Sequence, residues 1–171
     1  MEFRVTQGDI AAQRADVLVN AAGTSLEMGS GVAGALRRAG GDELNESAVA
    51  KGPVELGGVA VTDAFDLDAE YVIHAAAMPH YGDGQATESS IREATRNALQ
   101  AADERGCRSI VIPALGCGVA GFPLARGARL ICEEIDAFQP KNLEDVSFIA
   151  YSDDEVETVR EAAASFDTAR F

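Results

Sequence analysis

The sequence predicts an α/β fold, a three-layer α/β/α sandwich whose central sheet is mixed and mostly parallel. The first observation is a set of short runs dominated by apolar residues, at 16–20, 71–75 and 109–113, which are typical of strands buried on both faces. The second is that amphipathic helical patterns lie between these runs. Buried strands that alternate with such helices favour a largely parallel sheet between two helical layers.

In the first half of the chain, side-chain periodicity predicts four strands and two helices. They are, in order, a strand around Phe3 and Val5, a strand at 16–20, a helix carrying Val32, Leu36 and Ala39, a helix at 42–50, and strands at 58–62 and 71–75. Gly40 and Gly41 are expected to end the first helix, and Asp42 to be the N-cap of the second. The last two strands have a short connection and are expected to be neighbours.

In the second half, the same reasoning predicts three helices and two strands. They are, in order, a helix at 90–105, a strand at 109–113, a helix from Pro123 carrying Leu124, Ala128, Ile131, Ile135 and Phe138, a strand at 146–151, and a closing helix carrying Val156, Val159, Ala163 and Phe166. Gly106 ends the first of these helices, and a proline suits the first turn of the second. Asp153 or Asp154 is expected to cap the third.

The length and charge of the chain limit the classes of protein to consider. A chain of 171 residues fits one domain over 1–171. Its 28 acidic residues exceed its 14 lysines and arginines, for a net charge of −14, so a nucleic-acid partner is not expected. The acid excess and the scarcity of lysine favour an origin in a halophilic archaeon, with an ordinary acidic cytosolic protein as the alternative.

The cysteines and the hydropathy pattern favour a cytoplasmic protein. Cys107, Cys117 and Cys132 are odd in number and lack C-x-x-C spacing, so neither a disulfide framework nor a metal site is expected. The N-terminal residues alternate like a strand and do not resemble a signal peptide. Because no run of apolar residues is long enough to span a bilayer, a membrane partner is not expected either.

Two glycine-rich loops, at 20–34 and 113–123, each follow a predicted buried strand and precede a predicted helix. Glycine allows close approach of a ligand to the backbone, and a helix N-terminus directs unpaired N–H groups and a positive dipole end at it. Carboxyl ends of parallel strands meet at one sheet edge, which also receives Tyr151. The pair of loops therefore predicts a site for an anionic, phosphate-bearing ligand, with a pair of tight turns as the alternative.

Two common phosphate-binding motifs do not account for these loops. Neither loop continues into the Gly-Lys-Ser/Thr sequence of a Walker A motif. The segment 29–34 has G-x-G-x-x-G spacing, but no acidic residue about twenty positions later ends a following strand, as a dinucleotide site requires.

The chain resembles the macrodomain family, which binds ADP-ribose, over nearly its whole length. The similar segments, in the family's order, are 8–10, 20–22, 29–36, 72–75 and 113–119. The resemblance implies an adenine-binding element at the first, a ligand loop at 20–36 and a diphosphate loop at the last. It also implies ADP-ribose or an ADP-ribosylated protein as partner, with no cofactor.

The ligand-binding residues that follow from the loops and the resemblance form one set. They are Gly8, Asp9, Ile10, Asn20, Gly23, Gly29, Ser30, Gly31, Val32, Gly116, Cys117, Gly118, Val119, Ala120 and Tyr151. The carboxylate of Asp9 is expected to accept a hydrogen bond from the adenine amino group, and Tyr151 to stack on adenine. The alternatives are that Asp9 caps the short turn after it and that Tyr151 is a core-edge residue.

Departures from the family pattern bear on catalysis. In hydrolytic members an asparagine closes the Asn-Ala-Ala-Asn motif and holds the distal ribose, whereas this chain has Gly23. The second loop of those members carries an aromatic residue where this chain has Ala120, and Met28 replaces a polar residue. The resemblance therefore favours a binding module, similar to macro-histone-type domains. The alternatives are a hydrolase of ADP-ribosyl esters, O-acetyl-ADP-ribose or ADP-ribose-1″-phosphate, and a pocket for another nucleotide.

The two histidines and Cys117 are weighed as reactive groups. His74 lies in an apolar strand and is interpreted as a hydrogen-bonded core residue. His80 lies in a loop that could reach the rim of the site as a general base, although a surface-loop histidine is the simpler interpretation. A helix N-terminus could lower the pKa of Cys117, but packing is the favoured role. Arg37 and Arg38 are expected on the solvated helix face, paired with carboxylates rather than with phosphate.

Overall fold

The computed structural model describes residues 1–80, 82–118 and 121–171. Its elements are β1 (Glu2–Gln7), β2 (Val17–Gly23), α1 (Gly31–Gly40), α2 (Asp42–Lys51), β3 (Val59–Asp63), β4 (Tyr71–Met78), α3 (Glu88–Glu104), β5 (Ser109–Ile112), α4 (Leu124–Ala137), β6 (Asp145–Ala150), α5 (Asp153–Ala163) and β7 (Ala169–Arg170). A 3₁₀ turn, Ile10–Ala12, follows β1. No helix within the described ranges is both long and apolar enough to cross a membrane.

The strands form one mixed sheet in the order β3-β4-β2-β5-β6-β1-β7. Strand β3 is antiparallel to β4, and the other pairs are parallel. This confirms both the predicted fold class and the predicted pairing of the strands at 58–62 and 71–75. The short edge strand β7, which pairs with β1, was not expected, because two residues carry no periodicity.

Two apolar clusters cover the two faces of the sheet and establish the three layers. Along β2, successive side chains point to opposite faces. Val17 and Val19 join the cluster that includes Ile91 of α3 and residues of α4 and α5. Leu18 joins the cluster that includes Leu36 of α1 and residues of α2. Helices α1 and α2 therefore form one outer layer, and α3 to α5 the other.

Four helix starts differ from the sequence-based expectation by one or two residues. Helix α4 begins at Leu124, and Pro123 is its N-cap rather than part of its first turn. Asp42 is the first residue of α2 and not its N-cap, which is a glycine with φ +99°. The N-cap of α5 is Ser152, whose hydroxyl accepts from the backbone N–H of Glu155 at 3.2 Å. Asp153 and the residue after it lie in the first turn instead, where carboxylates favour the helix dipole. Helix α3 begins at Glu88, after a capping box.

The parallel strands position the site because they deliver four strand-to-helix junctions to one edge. The carboxyl ends of β1, β2, β5 and β6 lead into the 3₁₀ turn, α1, α4 and α5, respectively. The ends of β1 and β6 are joined by a hydrogen bond from Gly8 N to Ala150 O at 3.0 Å. Residues of these four junctions line the candidate site described below.

Candidate ligand-binding site

A cavity of about 670 Å³ opens at the carboxyl edge of the sheet, between the four junctions. Ten of the residues predicted to bind ligand line it, from all four junctions. They are Gly8, Asp9, Ile10, Ser30, Gly31, Val32, Gly116, Cys117, Gly118 and Tyr151. The fold thus brings together the two glycine loops, the turn after β1 and the end of β6, as the sequence predicts.

Three of the other five predicted residues stand apart from this cavity, and the structure does not describe the remaining two. Asn20, Gly23 and Gly29 are not among the described residues that line it. Val119 and Ala120 lie outside the residues that the structure describes. Their contribution to the site stays a prediction.

Asn20 lies in the core and not in the cavity. It is completely buried, and its side-chain amide lies 3.0 Å from Nδ1 of His74. Nε2 of His74 lies 3.0 Å from the hydroxyl of Thr62, which itself donates to the carbonyl of Asp63. Since the hydroxyl proton is already used, Nε2 of His74 donates to it and Nδ1 accepts from the amide of Asn20.

This buried row corrects one expectation and confirms another. Asn20 supports the ring of His74 rather than touching the cavity, and its own Oδ1 has no hydrogen-bond partner among the described residues. His74 is a core residue, as expected, and burial lowers its pKa to about 4. The ring is neutral, and side chains of β2 and β3 hold it from either side. His74 is therefore interpreted as a structural residue and not as a general base.

The segment that follows β4 packs closely against Gly23. A Cβ on Gly23 would lie 3.0 Å from the carbonyl oxygen of Pro79 and 3.5 Å from Cα of His80. Nδ1 of His80 lies 2.9 Å from the hydroxyl of Ser25, and its backbone N–H donates to Thr24 Oγ1 at 3.1 Å. His80 is exposed and is bound to the turn after β2, outside the described lining of the cavity.

The turn after β1 places a carboxylate at one end of the cavity. Asp9 is the N-cap of the 3₁₀ turn, and its Oδ1 accepts from Ala11 N at 2.9 Å. The capping interpretation is therefore confirmed for one oxygen, while the exposed carboxylate still lines the cavity. Side-chain capping and ligand contact are compatible because a carboxylate has two oxygens.

Tyr151 is the most exposed large apolar side chain at this edge, with 71% of its surface accessible. It follows β6 directly and lines the same cavity as the glycine loops. Gln7 holds its segment in place, donating to the carbonyl of Tyr151 at 3.4 Å and to Oδ1 of Asp153 at 2.7 Å. An exposed ring on an anchored backbone is a surface on which a planar ligand can stack.

The first turn of α1 presents backbone N–H groups without a side-chain cap. Its N-cap, Ser30, makes no capping hydrogen bond through its side chain. Gly31 has φ +61°, and a Cβ there would have no neighbour within 4 Å. Uncapped N–H groups at a helix start need acceptors, and a ligand anion in the cavity would supply them.

Two of the glycines in the second loop, Gly116 and Gly118, have different roles. Gly116 has φ +76°, and a Cβ on it would lie 2.7 Å from that of Ala86 and 3.0 Å from Ile91. Among the described residues, no atom beyond the chain neighbours of Gly118 lies within 4 Å of a Cβ placed on it. Gly116 therefore serves the packing of the loop, and Gly118 leaves room at the cavity.

Cys117 is a packed and unreactive thiol. Burial raises its pKa to about 11, which favours packing over the alternative of a thiol activated by the helix N-terminus. Its Sγ lies 3.4 Å from the carbonyl oxygen of Leu115, and it packs against Gly127 in the first turn of α4. The lack of a side chain on Gly127 makes room for the sulfur, which confirms the packing role.

The structure adds residues that sequence reasoning missed. Two are charged and line the cavity: Glu155 of α5 and Arg38 of α1. Arg38 was expected to pair with a carboxylate, but it takes part in no ion pair among the described residues. Arg37 behaves as expected, because its Nε lies 3.0 Å from Asp42 Oδ1. A signal for Arg38 was its helical spacing of seven from Gly31, which puts both on one face of α1.

These features define an α/β protein with a cavity at the carboxyl edge of a mixed sheet. The family model described as Macro domain matches residues 19–131, more than half of the chain. The chain therefore belongs to the Macro domain family, which confirms the resemblance seen in the sequence.

Relatives of the chain occur in bacteria and archaea. An uncharacterized protein of Mycobacterium tuberculosis is 42% identical over 153 residues, covering 90% of this chain and 42% of that protein. One of Aquifex aeolicus is 39% identical over 157 residues, covering 92% and 94%. One of Sulfolobus acidocaldarius is 39% identical over 158 residues, covering 90% and 85%. The chain spans less than half of the mycobacterial relatives, and these sources do not support the expected origin in a halophilic archaeon.

Solved structures share the fold and include complexes. The macrodomain of Trypanosoma brucei in complex with ADP-ribose aligns with a TM-score of 0.83 and 26% identity, covering 94% of this chain and 68% of that one. The Oceanobacillus iheyensis macrodomain with ADP aligns with a TM-score of 0.82 and 26% identity, covering 94% and 89%. A variant of the latter with ADPR gives 0.83 and 26%, covering 95% and 91%.

Proposed function

We propose that the chain binds ADP-ribose and its derivatives in the cavity at the carboxyl edge of the sheet. The observation that carries the proposal is the uncapped start of α1 facing a cavity that Asp9 and Tyr151 also line. The related macrodomains described with ADP-ribose and ADP support the choice of ligand. The family assignment supports it independently.

The diphosphate fits between the two glycine loops. Backbone N–H groups at Ser30 to Val32 lie on one side and those at Gly116 to Gly118 on the other, with Val119 proposed to continue the second side. Such groups carry partial positive charge without a lysine or arginine. The arrangement lets a strongly acidic chain accept an anion.

The adenine fits at the end formed by the turn after β1 and the end of β6. The second oxygen of Asp9 is available to accept from the exocyclic amino group, because Oδ1 is used by Ala11 N. Tyr151 offers an exposed ring for stacking. This places the adenosine end and the diphosphate on adjacent parts of one continuous cavity.

Calorimetry with ADP-ribose tests the proposal. The wild-type protein, shown by circular dichroism to be folded, is titrated at low and high salt. Binding with one ligand per chain, and competition by ADP but not by inorganic phosphate at equal concentration, is the expected result. The absence of heat and of any thermal shift at millimolar ADP-ribose contradicts it.

A second candidate is hydrolysis of ADP-ribosyl esters, O-acetyl-ADP-ribose or ADP-ribose-1″-phosphate by water whose attack the substrate assists. Such attack demands little of protein side chains, so the absence of a side chain at Gly23 does not exclude it. Gly23→Asn tests it, because Pro79 needs to move by only a few tenths of an ångström to accommodate the new Cβ. Mass-spectrometric assays of wild type, of this variant and of His80→Ala separate binding from turnover. Turnover that survives His80→Ala removes His80 from the mechanism.

The rest of the proposal concerns the partner, the domain organisation and the cellular location of the chain. A protein modified with ADP-ribose is the natural partner for a cavity of this kind. We also propose that residues 1–171 form a single domain that acts in the cytoplasm. Limited proteolysis with and without ADP-ribose tests the first of these two, since one domain gives one protected fragment.

A further inference from the structure

We infer that Arg38 is the cationic side chain of the ligand site and that it contacts the diphosphate beside the N-terminus of α1. The inference rests on the proposed function and adds a cationic side chain to the backbone N–H groups proposed to hold the diphosphate. Arg38 is the only lysine or arginine among the described residues lining the cavity. It is exposed, so its guanidinium is available to a ligand.

The guanidinium lies toward the N-terminal end of its helix. A Cβ on Gly34 would lie 3.2 Å from Nη1 of Arg38. The backbone N–H of Gly34 in turn donates to the carbonyl of Ser30, the N-cap, at 3.2 Å. The charge of Arg38 is therefore within about one helical turn of the uncapped N–H groups.

Gly34 explains why the side chain can take this position. Helical side chains lean toward the preceding turn, so residue 38 leans over residue 34. Any larger residue at 34 would meet Nη1 at 3.2 Å and the carbonyl oxygen of Gly29 at 3.1 Å. The missing side chain at Gly34 thus lets the guanidinium pack against the helix and reach the phosphate loop.

The neighbouring arginine shows that this orientation is specific to Arg38. Nε of Arg37 lies 3.0 Å from Oδ1 of Asp42, and its Nη1 donates to the carbonyl of Met28 at 3.3 Å. Arg38 takes part in none of the ion pairs found in the described part of the chain. Arg37 thus stabilises the loop before α1, whereas the donors of Arg38 remain available to a ligand.

The charge around the cavity favours a cation at this position. Asp9 and Glu155 bring two carboxylates to the lining, in a chain with a net charge of −14. Glu155 is held there, since its Oε1 accepts from the hydroxyl of Ser152 at 3.0 Å. Arg38 offsets this field at the point where a diphosphate would enter, and its planar donors suit phosphate oxygens.

Isothermal titration of Arg38→Gln with four probes tests the assignment. The probes are ADP-ribose, ADP, adenosine and inorganic pyrophosphate, each at about 50 mM and about 500 mM NaCl, where the Debye length is about 14 Å and about 4 Å. Arg38→Gln is expected to weaken ADP-ribose and ADP by about tenfold or more, the scale of one charge-assisted hydrogen bond. Adenosine is expected to change by less than about twofold.

Two further variants keep the comparison matched. Arg14→Gln removes the same charge from a largely exposed arginine outside the cavity and is expected to leave all four affinities unchanged. Arg38→Lys keeps the charge without the planar fork, so it should retain the salt dependence and part of the affinity. The salt dependence of ADP-ribose binding should flatten only in Arg38→Gln.

The outcomes separate this inference from the proposed function. If Arg38→Gln binds ADP-ribose like wild type, or loses as much affinity for adenosine as for ADP-ribose, Arg38 has no contact with the diphosphate. The inference is then wrong, and the proposed function still stands. If wild type ignores ADP-ribose but binds pyrophosphate through Arg38, the proposed ligand is wrong and the inference stands. If no phosphate-containing probe binds, both are wrong.

Discussion

Asn20 and His74 lie opposite each other on β2 and β4, and the buried amide of Asn20 donates to Nδ1 of His74 at 3.0 Å. The contact fixes the tautomer of the ring, whose Nε2–H is bound to Thr62. It joins the two strands that end beside the ligand cavity. A polar pair in the core therefore supports the edge of the sheet on which the site depends.

The first prediction is that stability falls as the pH falls through the range in which unfolded His74 gains a proton. Burial lowers the pKa of His74 from 6.5 to about 4 in the folded chain, so the unfolded state binds the proton first. Stability from this group is complete above about pH 6.5 and is lost toward pH 4. Between pH 7 and pH 5 the loss should be about 2 kcal/mol.

Urea denaturation at the two pH values measures this difference. His74→Gln should unfold with a much smaller change between them. Should the variant not fold, the ¹⁵N shifts of the ring of His74 in wild type provide the second measurement, and they should report a neutral imidazole at pH 5.5. A charged ring at that pH, in folded protein, contradicts the prediction.

The burial of Asn20 could have been predicted from strand alternation. Leu18 and Asn20 have the same parity on β2, and Leu18 is completely buried on the α1 side. A strand buried on both faces offers its side chains to helical layers and not to a ligand at its end. Family resemblance placed Asn20 in the site, and alternation would have placed it in the core.

The loops at the sheet edge were predictable for a different reason. A glycine cluster between a buried strand and a helix predicts a loop at the carboxyl edge of the sheet. The sequence alone therefore predicted that Gly31 and Gly118 would line a cavity there. The direction of Arg38 did not, because it depends on how Gly34 packs in three dimensions. Strand β7 was also beyond prediction, because pairing with β1 defines it and its two residues show no pattern.

The second prediction contrasts two glycines of the diphosphate loop. Gly118→Glu should abolish ADP-ribose binding and leave the melting temperature almost unchanged, because its side chain enters open space with a negative charge. Gly116→Ala should instead lower stability by about 2 to 4 kcal/mol, because positive φ and contact with Ala86 both oppose a side chain.

Calorimetry and thermal melting measure both effects. Gly118→Ala is the control, since it fits the same space without charge and should weaken binding only slightly. Normal binding by Gly118→Glu contradicts the proposed place of the diphosphate. An unchanged melting temperature in Gly116→Ala contradicts the packing role of Gly116.

The third prediction separates the two roles of Asp9. Asp9→Ala should lose the cap on the 3₁₀ turn, about 1 kcal/mol, together with affinity for adenosine ligands. Asp9→Asn should keep the cap, because Asn is an equally good N-cap. Its amide NH2 group would then face the base as a donor, where the carboxylate of Asp9 offers an acceptor. The Asn variant should therefore bind inosine diphosphate ribose relatively better than ADP-ribose. Equal base preference in wild type and Asp9→Asn is the result that excludes contact with the amino group.

The fourth prediction concerns the stacking ring. Tyr151→Ala should weaken ADP-ribose and ADP by about tenfold, the scale of one base–aromatic contact. Since 71% of the side chain is exposed, folding should not change. Tyr151→Phe, the control, keeps the ring and should bind like wild type. Loss of affinity in the Phe variant as well would assign the effect to the hydroxyl group.

The fifth prediction links the acid excess of the chain to a network of ion pairs between α3 and α4. Arg92 lies 2.7 Å from Glu133, 3.5 Å from Glu88 and 3.9 Å from Glu134. Replacing it leaves these carboxylates close together without a shared cation. Arg92→Met should therefore destabilise the chain by about 1 to 2 kcal/mol at low salt, more than an isolated exposed pair.

Salt provides the control for this network, because screening reduces both the lost attraction and the remaining repulsion. Urea denaturation in 50 mM and 1 M KCl, chosen to span most of the screening range of about 14 Å to 3 Å, should show the cost of Arg92→Met shrinking at the higher concentration. Arg14→Met removes an arginine 3.9 Å from Asp68, where both side chains are mostly exposed. It should cost nothing measurable in either salt. An equal cost of Arg92→Met at both concentrations would mean that its methylene packing, and not its charge, stabilises the helix pair.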